Sequence, residues 1–185
     1  GDYPLKGFHY LLQAMQEILQ NCPEAHIKVA GISVLGVNGI KSRIKIPAYG
    51  KYLRRLILEN RLEGKVRVLG NLSAEEMKRE YLSAQIFVCP SAVENSPNSV
   101  AEGQLLGVPV AASRTGGIPD VVKDGVSGLL FEKGNVHELA ACVSRILTDK
   151  QLAKELSASE RETAAKLYNG ENNYQKLIEI YQSIE

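Results

Sequence analysis

Five short, mostly apolar runs are spaced along this chain, and each is set apart from the next by a segment with helical periodicity. They fall at residues 26–32 (HIKVAGI), 66–69 (VRVL), 85–89 (QIFVC), 108–112 (VPVAA) and 128–131 (GLLF). A strand that faces water on one side alternates apolar and polar residues. Runs without that alternation belong to strands covered on both faces, as in a parallel sheet between two layers of helices. The intervening segments supply those helices. Phe8, Leu11, Leu12, Met15, Ile18 and Leu19 line one helical face, and Pro23 stops the helix soon after. A second helical pattern covers 52–62. Ser73 followed by Glu76 forms a capping box for a third helix, through Leu82, and a fourth begins near Asn98. From Asn135 the pattern is helical almost to the end, with breaks near Asp149 and Gly170. The pattern predicts an α/β domain over 1–185, built as a three-layer Rossmann-like parallel sheet flanked by helices.

Composition narrows the class further. With 44% hydrophobic residues in 185, the chain has enough apolar surface for one ordinary core. Its 22 Lys and Arg nearly balance 21 Asp and Glu, so bulk charge gives no reason to expect nucleic-acid binding. No apolar run approaches a membrane span. Cys22, Cys89 and Cys142 are scattered and odd in number, which reads as buried small hydrophobes in a reducing compartment. Charge is uneven, however. Residues 32–58 hold Lys41, Arg43, Lys45, Lys51, Arg54 and Arg55 and no acid, so this stretch is +6 and the remainder −5. The loop at 33–47 within it follows a strand and is long for a βα connection, which suits contact with a phosphate, an acceptor or an anionic surface. The opening is also unusual. Residues 1–7 lead straight into a helix, whereas the first turn of a doubly wound sheet follows a strand. That order suggests a piece of a longer protein.

The densest chemistry lies in 89–128. A strand ends in a polar, proline-containing loop, and a helix starting near Asn98 carries Glu102. A helix N-terminus beyond a strand's carboxyl end attracts anions, because its free N–H groups and dipole favour phosphate. Glu94 and Glu102, with seven residues between them, would repel phosphates but could grip the hydroxyls of a sugar and a ribose. Gly116-Gly117 makes a second turn where backbone can come close to a ligand. Lys6 supplies positive charge for a diphosphate. His9, His26 and His137 lack metal-ligand spacing and read as surface or packing residues. Tyr10, Tyr81 and Tyr181 read as half-buried packing residues.

These motifs together resemble the C-terminal donor-binding domain of the family 4 glycosyltransferases (glycosyl transferases group 1), one half of a GT-B fold. The resemblance rests on Glu94-x7-Glu102, then Gly107-Val-Pro-Val-Ala-Ala-Ser and Gly116-Gly117-Ile-Pro-Asp. Pro4-Leu5-Lys6-Gly7 with Leu11-Leu12 is similar to the family's K-G-x-x-x-L-L segment. Residues 66–72 with Tyr81, Ala84 and Pro90-Ser91 resemble its strand–loop–helix–strand unit, and 125–131 (GVSGLLF) its N-G-L-L-F-like strand. The likeness runs through nearly the whole chain in the right order.

The resemblance implies roles residue by residue. Glu102 hydrogen-bonds the nucleotide ribose, and Glu94 contacts hydroxyls of the transferred sugar. Asn98, Ser99 and Val100 present backbone amides to sugar and diphosphate. Lys6 neutralises the departing diphosphate. Gly70, Asn71 and Leu72 line the nucleobase pocket, and Gly116 and Gly117 approach the donor. The implied enzyme retains anomeric configuration, needs no cofactor or metal, and moves a hexose from a nucleoside-diphosphate sugar to an acceptor hydroxyl. The acceptor, a sugar or lipid-linked glycan, belongs to an N-terminal domain outside this chain, and the expected location is cytoplasmic, peripheral at the inner membrane face. On that reading the chain alone binds donor without transferring. Two departures stand out. The family's phosphate-clamping arginine falls at Gly1 or Asp2, and Asn-Ser-Pro-Asn-Ser replaces a Gly-Phe-Gly-like turn. The alternatives are a nucleotide-sugar epimerase of the same architecture, which the Glu94-x7-Glu102 pattern fits less well, and a non-catalytic nucleotide-binding module, favoured only by the absent arginine.

Overall fold

The structure, a computed structural model, describes residues 3–31, 35 and 47–183. After a 3₁₀ turn at Pro4–Lys6, the elements in chain order are α1 (Phe8–Asn21), β1 (Ile27–Ala30), α2 (Ala48–Glu59), β2 (Val66–Gly70), α3 (Ala74–Ser83), β3 (Phe87–Cys89) and α4 (Asn98–Leu106). They continue with β4 (Val110–Ser113), a one-turn α5 (Ile118–Val121), β5 (Leu129–Phe131), α6 (Val136–Thr148), α7 (Lys150–Leu167) and α8 (Gly170–Gln182). Every strand pairing among the described residues is parallel. β1 pairs with β2 from Ile27 opposite Val66, β3 with β4 from Phe87 opposite Val110, and β4 with β5 from Ala111 opposite Leu129.

The layers follow from the two-residue strand period. β4 is buried along its whole length. Ala111, Leu129 and Phe131 join a cluster formed with α1, α2, α6 and Leu156 of α7. Val110, Ala112 and Leu130 point the other way, into a second cluster with Val100, Ile118 and Val122. Both faces of β4 and β5 are therefore dry, which is why these two strands read as unbroken apolar runs.

Local signals hold closely. Ser73 Oγ accepts from the Glu76 amide while the Glu76 carboxylate accepts from the Ser73 amide, completing the capping box. Asn135, Asp149 and Asn169 cap α6, α7 and α8, so the breaks come at Asp149 and Asn169.

Four features differ from the sequence reading. The sheet is in two parts, β1–β2 and β3–β4–β5, among the described residues. The second helix begins four residues earlier than its periodicity suggests, because Ala48, Tyr49 and Lys51 bring little apolar signal to its first turn. Tyr181 is 64% exposed, since α8 buries none of its residues. Of the cysteines, all free, only Cys89 is fully buried. The basic loop reading at 33–47 lies outside the described residues apart from Leu35 and Pro47, as do Gly1 and Asp2. Arg54 Nε donates to Leu35 O at 2.9 Å, and Arg55 pairs with Glu59 at 2.7 Å. No helix among the described residues is long and apolar enough to cross a membrane.

Candidate functional site

The site forms at the carboxyl ends of the strands, where the β3–α4 loop meets two other loops. The first is the turn before α1. The Ala92 amide donates to Leu5 O at 2.8 Å, and Gly7, at φ +69°, lies so close to Pro90 that a Cβ there would stand 1.8 Å from its carbonyl oxygen. Only glycine allows that approach, and the approach fixes where Lys6 projects. Lys6 Nζ reaches Glu94 Oε2 at 2.8 Å. The lysine side chain is 48% exposed and the glutamate only 10%, so the acid is seated and the cation faces outward.

Ser91 holds the glutamate from the other side. Its hydroxyl donates to the same Oε2 at 3.0 Å, and its own carbonyl accepts from the buried Ser113 hydroxyl at 2.6 Å. Thr115 Oγ1 donates to Ala92 O at 3.2 Å. The second loop is the Gly116-Gly117 turn, which presses on the backbone that carries Glu94. A Cβ on Gly116, at φ +51°, would lie 1.5 Å from Glu94 O, and one on Gly117 2.4 Å from Asn95 O. The Gly117 amide donates to Glu94 O at 3.3 Å. The close backbone approach expected of these glycines is thus made first to the chain's own loop.

Glu102 sits on α4, one turn in from its N-terminus. Tyr81, the buried residue of α3, packs against Phe87 of β3 and directs its hydroxyl at both Ser99 O (3.0 Å) and Glu102 Oε2 (3.3 Å). Burial, and then the neighbouring Glu102 charge, hold the Tyr81 phenol well above its ordinary pKa, so it stays a donor. No side chain caps α4, although Asn98 and Val100 donate their amides to Ser96 O and Pro97 O within the turn. Burial also raises the Cys89 thiol, 3.6 Å from Ser91 Oγ, which keeps it neutral.

The structure therefore brings Lys6, Glu94, Gly116 and Gly117 into one loop cluster, with Asn98, Ser99, Val100 and Glu102 on the helix that leaves it. Gly70, Asn71 and Leu72 stand apart at the carboxyl end of β2. Gly70 there adopts φ +75° with open space where a Cβ would be. Sequence reasoning passed over Ser91 and assigned Tyr81 to packing alone. Tyr81 is a packing residue, against Phe87 at 5.3 Å between ring centres, but its hydroxyl also serves the site.

The model of the glycosyl transferases group 1 family matches residues 3–163. The chain belongs to that family. A D-inositol 3-phosphate glycosyltransferase from Corynebacterium urealyticum is 32% identical over 180 residues, which are 97% of this chain and 41% of the relative. The chain spans about two fifths of the length of the curated relatives it matches. Among solved structures, Anabaena Alr3699/HepE in complex with UDP-glucose superposes with a TM-score of 0.80 at 25% identity, over 98% of this chain and 46% of that one. The C-terminal domain of a glycosyl transferase group 1 family protein (LpcC) from Francisella tularensis shares the fold, with a TM-score of 0.75 at 18% identity. It covers 90% of this chain and 81% of that one.

Proposed function

We propose that this chain is the donor-binding domain of a retaining, metal-independent glycosyltransferase, which takes a hexosyl unit from a nucleoside-diphosphate sugar. The observation that carries the reading is the Lys6–Glu94–Ser91 cluster beside the N-terminus of α4, with Glu102 farther along the same helix. This is a cation and a dipole for a leaving diphosphate, and two separated carboxylates for hydroxyl groups. The UDP-glucose that Alr3699/HepE holds supports the same class of ligand.

In the reaction, the bond from the anomeric carbon to the diphosphate oxygen breaks while the acceptor oxygen bonds to that carbon on the same face. The acceptor hydroxyl's proton balances the charge of the released diphosphate. Lys6 and the Ser99 amide, the one amide of the first turn of α4 with no intramolecular acceptor among the described residues, meet that negative charge as it grows in the transition state, which lowers the barrier. Glu94 accepts from hydroxyls of the transferred sugar through the oxygen that Lys6 and Ser91 do not occupy. Glu102 accepts from the ribose. Gly70, Asn71 and Leu72 border the base through their backbone, and the Gly116-Gly117 turn supports the donor by fixing the Glu94 loop. The acceptor, a sugar or a lipid-linked glycan, contacts the part of the enzyme beyond this chain, at the inner face of a membrane.

A transfer assay tests this reading. The longer enzyme should convert an α-linked donor into an α-linked product, unchanged by EDTA, while the isolated chain binds donor without turnover. A β-linked product, loss of activity in EDTA, or turnover by the isolated chain would each contradict it.

A further inference from the structure

Glu94 carries a negative charge that its surroundings do not let move aside. Its Oε2 accepts from Lys6 Nζ at 2.8 Å and from Ser91 Oγ at 3.0 Å, and the side chain is only 10% exposed. Ser91 is itself fixed. It is buried, and its carbonyl accepts from the hydroxyl of the fully buried Ser113 at 2.6 Å. On the main chain, Glu94 O accepts from the Gly117 amide at 3.3 Å, and Gly116 stands so close to that oxygen that a Cβ would meet it. The carboxylate is therefore held through its side chain and its backbone at once. Lys6 is the opposite case. Nearly half of its side chain faces solvent, and its ammonium keeps two N–H groups to give after the one spent on Glu94. Arg114, just past the carboxyl end of β4, is already taken by Asp124 at 2.9 Å and Glu132 at 3.1 Å. An anion arriving beside the start of α4 thus meets a cation that is already paired and an acid that stays in place.

We propose that Glu94 sets which diphosphate the site keeps: it opposes a bare diphosphate and tolerates one that still carries its sugar. The inference rests on the proposed donor site and goes beyond it, from how the donor is held to how its spent half leaves. While a hexose is attached, its hydroxyls donate to Oε1, and these charge-assisted hydrogen bonds satisfy the carboxylate. After transfer those donors have gone with the sugar. The phosphate oxygen that bound the anomeric carbon is now terminal. It ionises once the acceptor's proton has passed on to water, as a terminal phosphate does above about pH 6. Glu94 then competes with that phosphate for Lys6 and has no hydroxyl between itself and the new charge. Like charges brought together in this way repel, and the repulsion falls on the product and spares the donor. Pinning is what makes the preference possible. A carboxylate free to turn toward solvent would relieve the repulsion, and product and donor would then be held alike.

Calorimetric titration with inorganic diphosphate, at neutral pH and low salt, tests this without depending on which base or hexose the enzyme uses. The parent is compared with Glu94→Gln, Glu94→Asn and Glu102→Gln. The two Glu94 variants remove the charge with an isosteric and a shorter side chain, so a packing defect in one does not decide the result. Each should bind diphosphate about threefold to tenfold more tightly than the parent, the size expected for one unit charge a few ångströms away near a protein surface. Glu102→Gln, which removes a charge from the ribose side, should shift it by less than about twofold. For whichever of UDP, GDP and ADP the parent binds, the affinity of its glucose conjugate relative to the bare nucleotide should fall in both Glu94 variants. Diphosphate binding that is equal or weaker in both of them, an equal gain in Glu102→Gln, or an unchanged conjugate-to-nucleotide ratio would overturn the inference and leave the donor site standing. If neither the parent nor any variant binds diphosphate at millimolar concentration, the anion site is absent, and the proposed donor site falls together with the inference.

Discussion

Tyr81 shows how one hydroxyl couples packing to recognition. It touches both the first turn of α4 and the Glu102 carboxylate, so Tyr81→Phe removes a contact on each. If Glu102 holds the ribose, this variant should weaken nucleoside-diphosphate binding about threefold to tenfold, in line with the roughly 1 kcal/mol of one long hydrogen bond, while inorganic diphosphate binds as before. Parallel calorimetric titrations of the two ligands check this; equal loss for both would show that Tyr81 acts only through the fold. Glu160 is a second residue that its spacing does not disclose. It is fully buried on α7, where Oε1 accepts from the Val110 amide at 2.8 Å and Oε2 has no partner among the described residues. Burial pushes its carboxyl up to about 8. With the folded-state value above the unfolded one, the folded protein holds a proton that the unfolded chain releases between about pH 4.5 and 8. Stability contributed by this group is therefore complete below that window and falls as pH rises through it. Glu160→Gln keeps the acceptor for Val110 and abolishes the titration. Its stability relative to the parent should improve by roughly 3 kcal/mol from pH 4.5 to 7, measured by urea unfolding at both pH values. A constant difference would refute a protonated Glu160.

At the scale of elements, the site depends on loops pressed against each other. Gly116→Ala combines a left-handed backbone with a Cβ placed 1.5 Å from Glu94 O, so the Glu94 loop must move. Gly125→Ala has a similar φ of +73° and open space, so it carries only the backbone strain of about 1 kcal/mol. The first variant should lose stability well beyond the second, and should also lose nucleotide affinity, which Gly125→Ala keeps. Thermal unfolding and titration of both variants separate these effects. Helix α7 fixes the far end of α4 in the same manner, with Ser157 Oγ on Gly107 O at 2.7 Å and Arg161 on Leu106 O at 2.9 Å. The elements themselves were largely legible in the sequence, because strand burial, helix periodicity and caps are local. The Asn98 start of α4, the capping box at Ser73 and the Asp149 break were readable from neighbouring residues alone. Tyr81's bond to a carboxylate 21 positions away, Glu160's to an amide 50 positions away and the Ser91–Ser113 link are set by tertiary placement, and no spacing rule announces them.

Across the whole molecule, the apolar runs specified a parallel three-layer sandwich but left the strand order open. Each run records that both faces are covered, and says nothing about which edge meets which. The division into β1–β2 and β3–β4–β5 among the described residues therefore emerged only from the structure. The site reading depended on several short motifs agreeing in order, since each alone is compatible with a solvated surface. Their physical meaning came with the geometry: Gly7, Gly116 and Gly117 fasten three loops together, and Lys6, Glu94 and Glu102 share the resulting edge. The central claim, that this edge binds a nucleoside diphosphate, is tested most directly by calorimetric titration of the chain with UDP, GDP and ADP beside its Glu102→Ala variant. The account predicts that one of the three binds and that the variant weakens it by at least about tenfold, the loss expected when a carboxylate leaves its hydroxyl partners. Absence of binding by all three at millimolar concentration, or equal affinity in the variant, would contradict it.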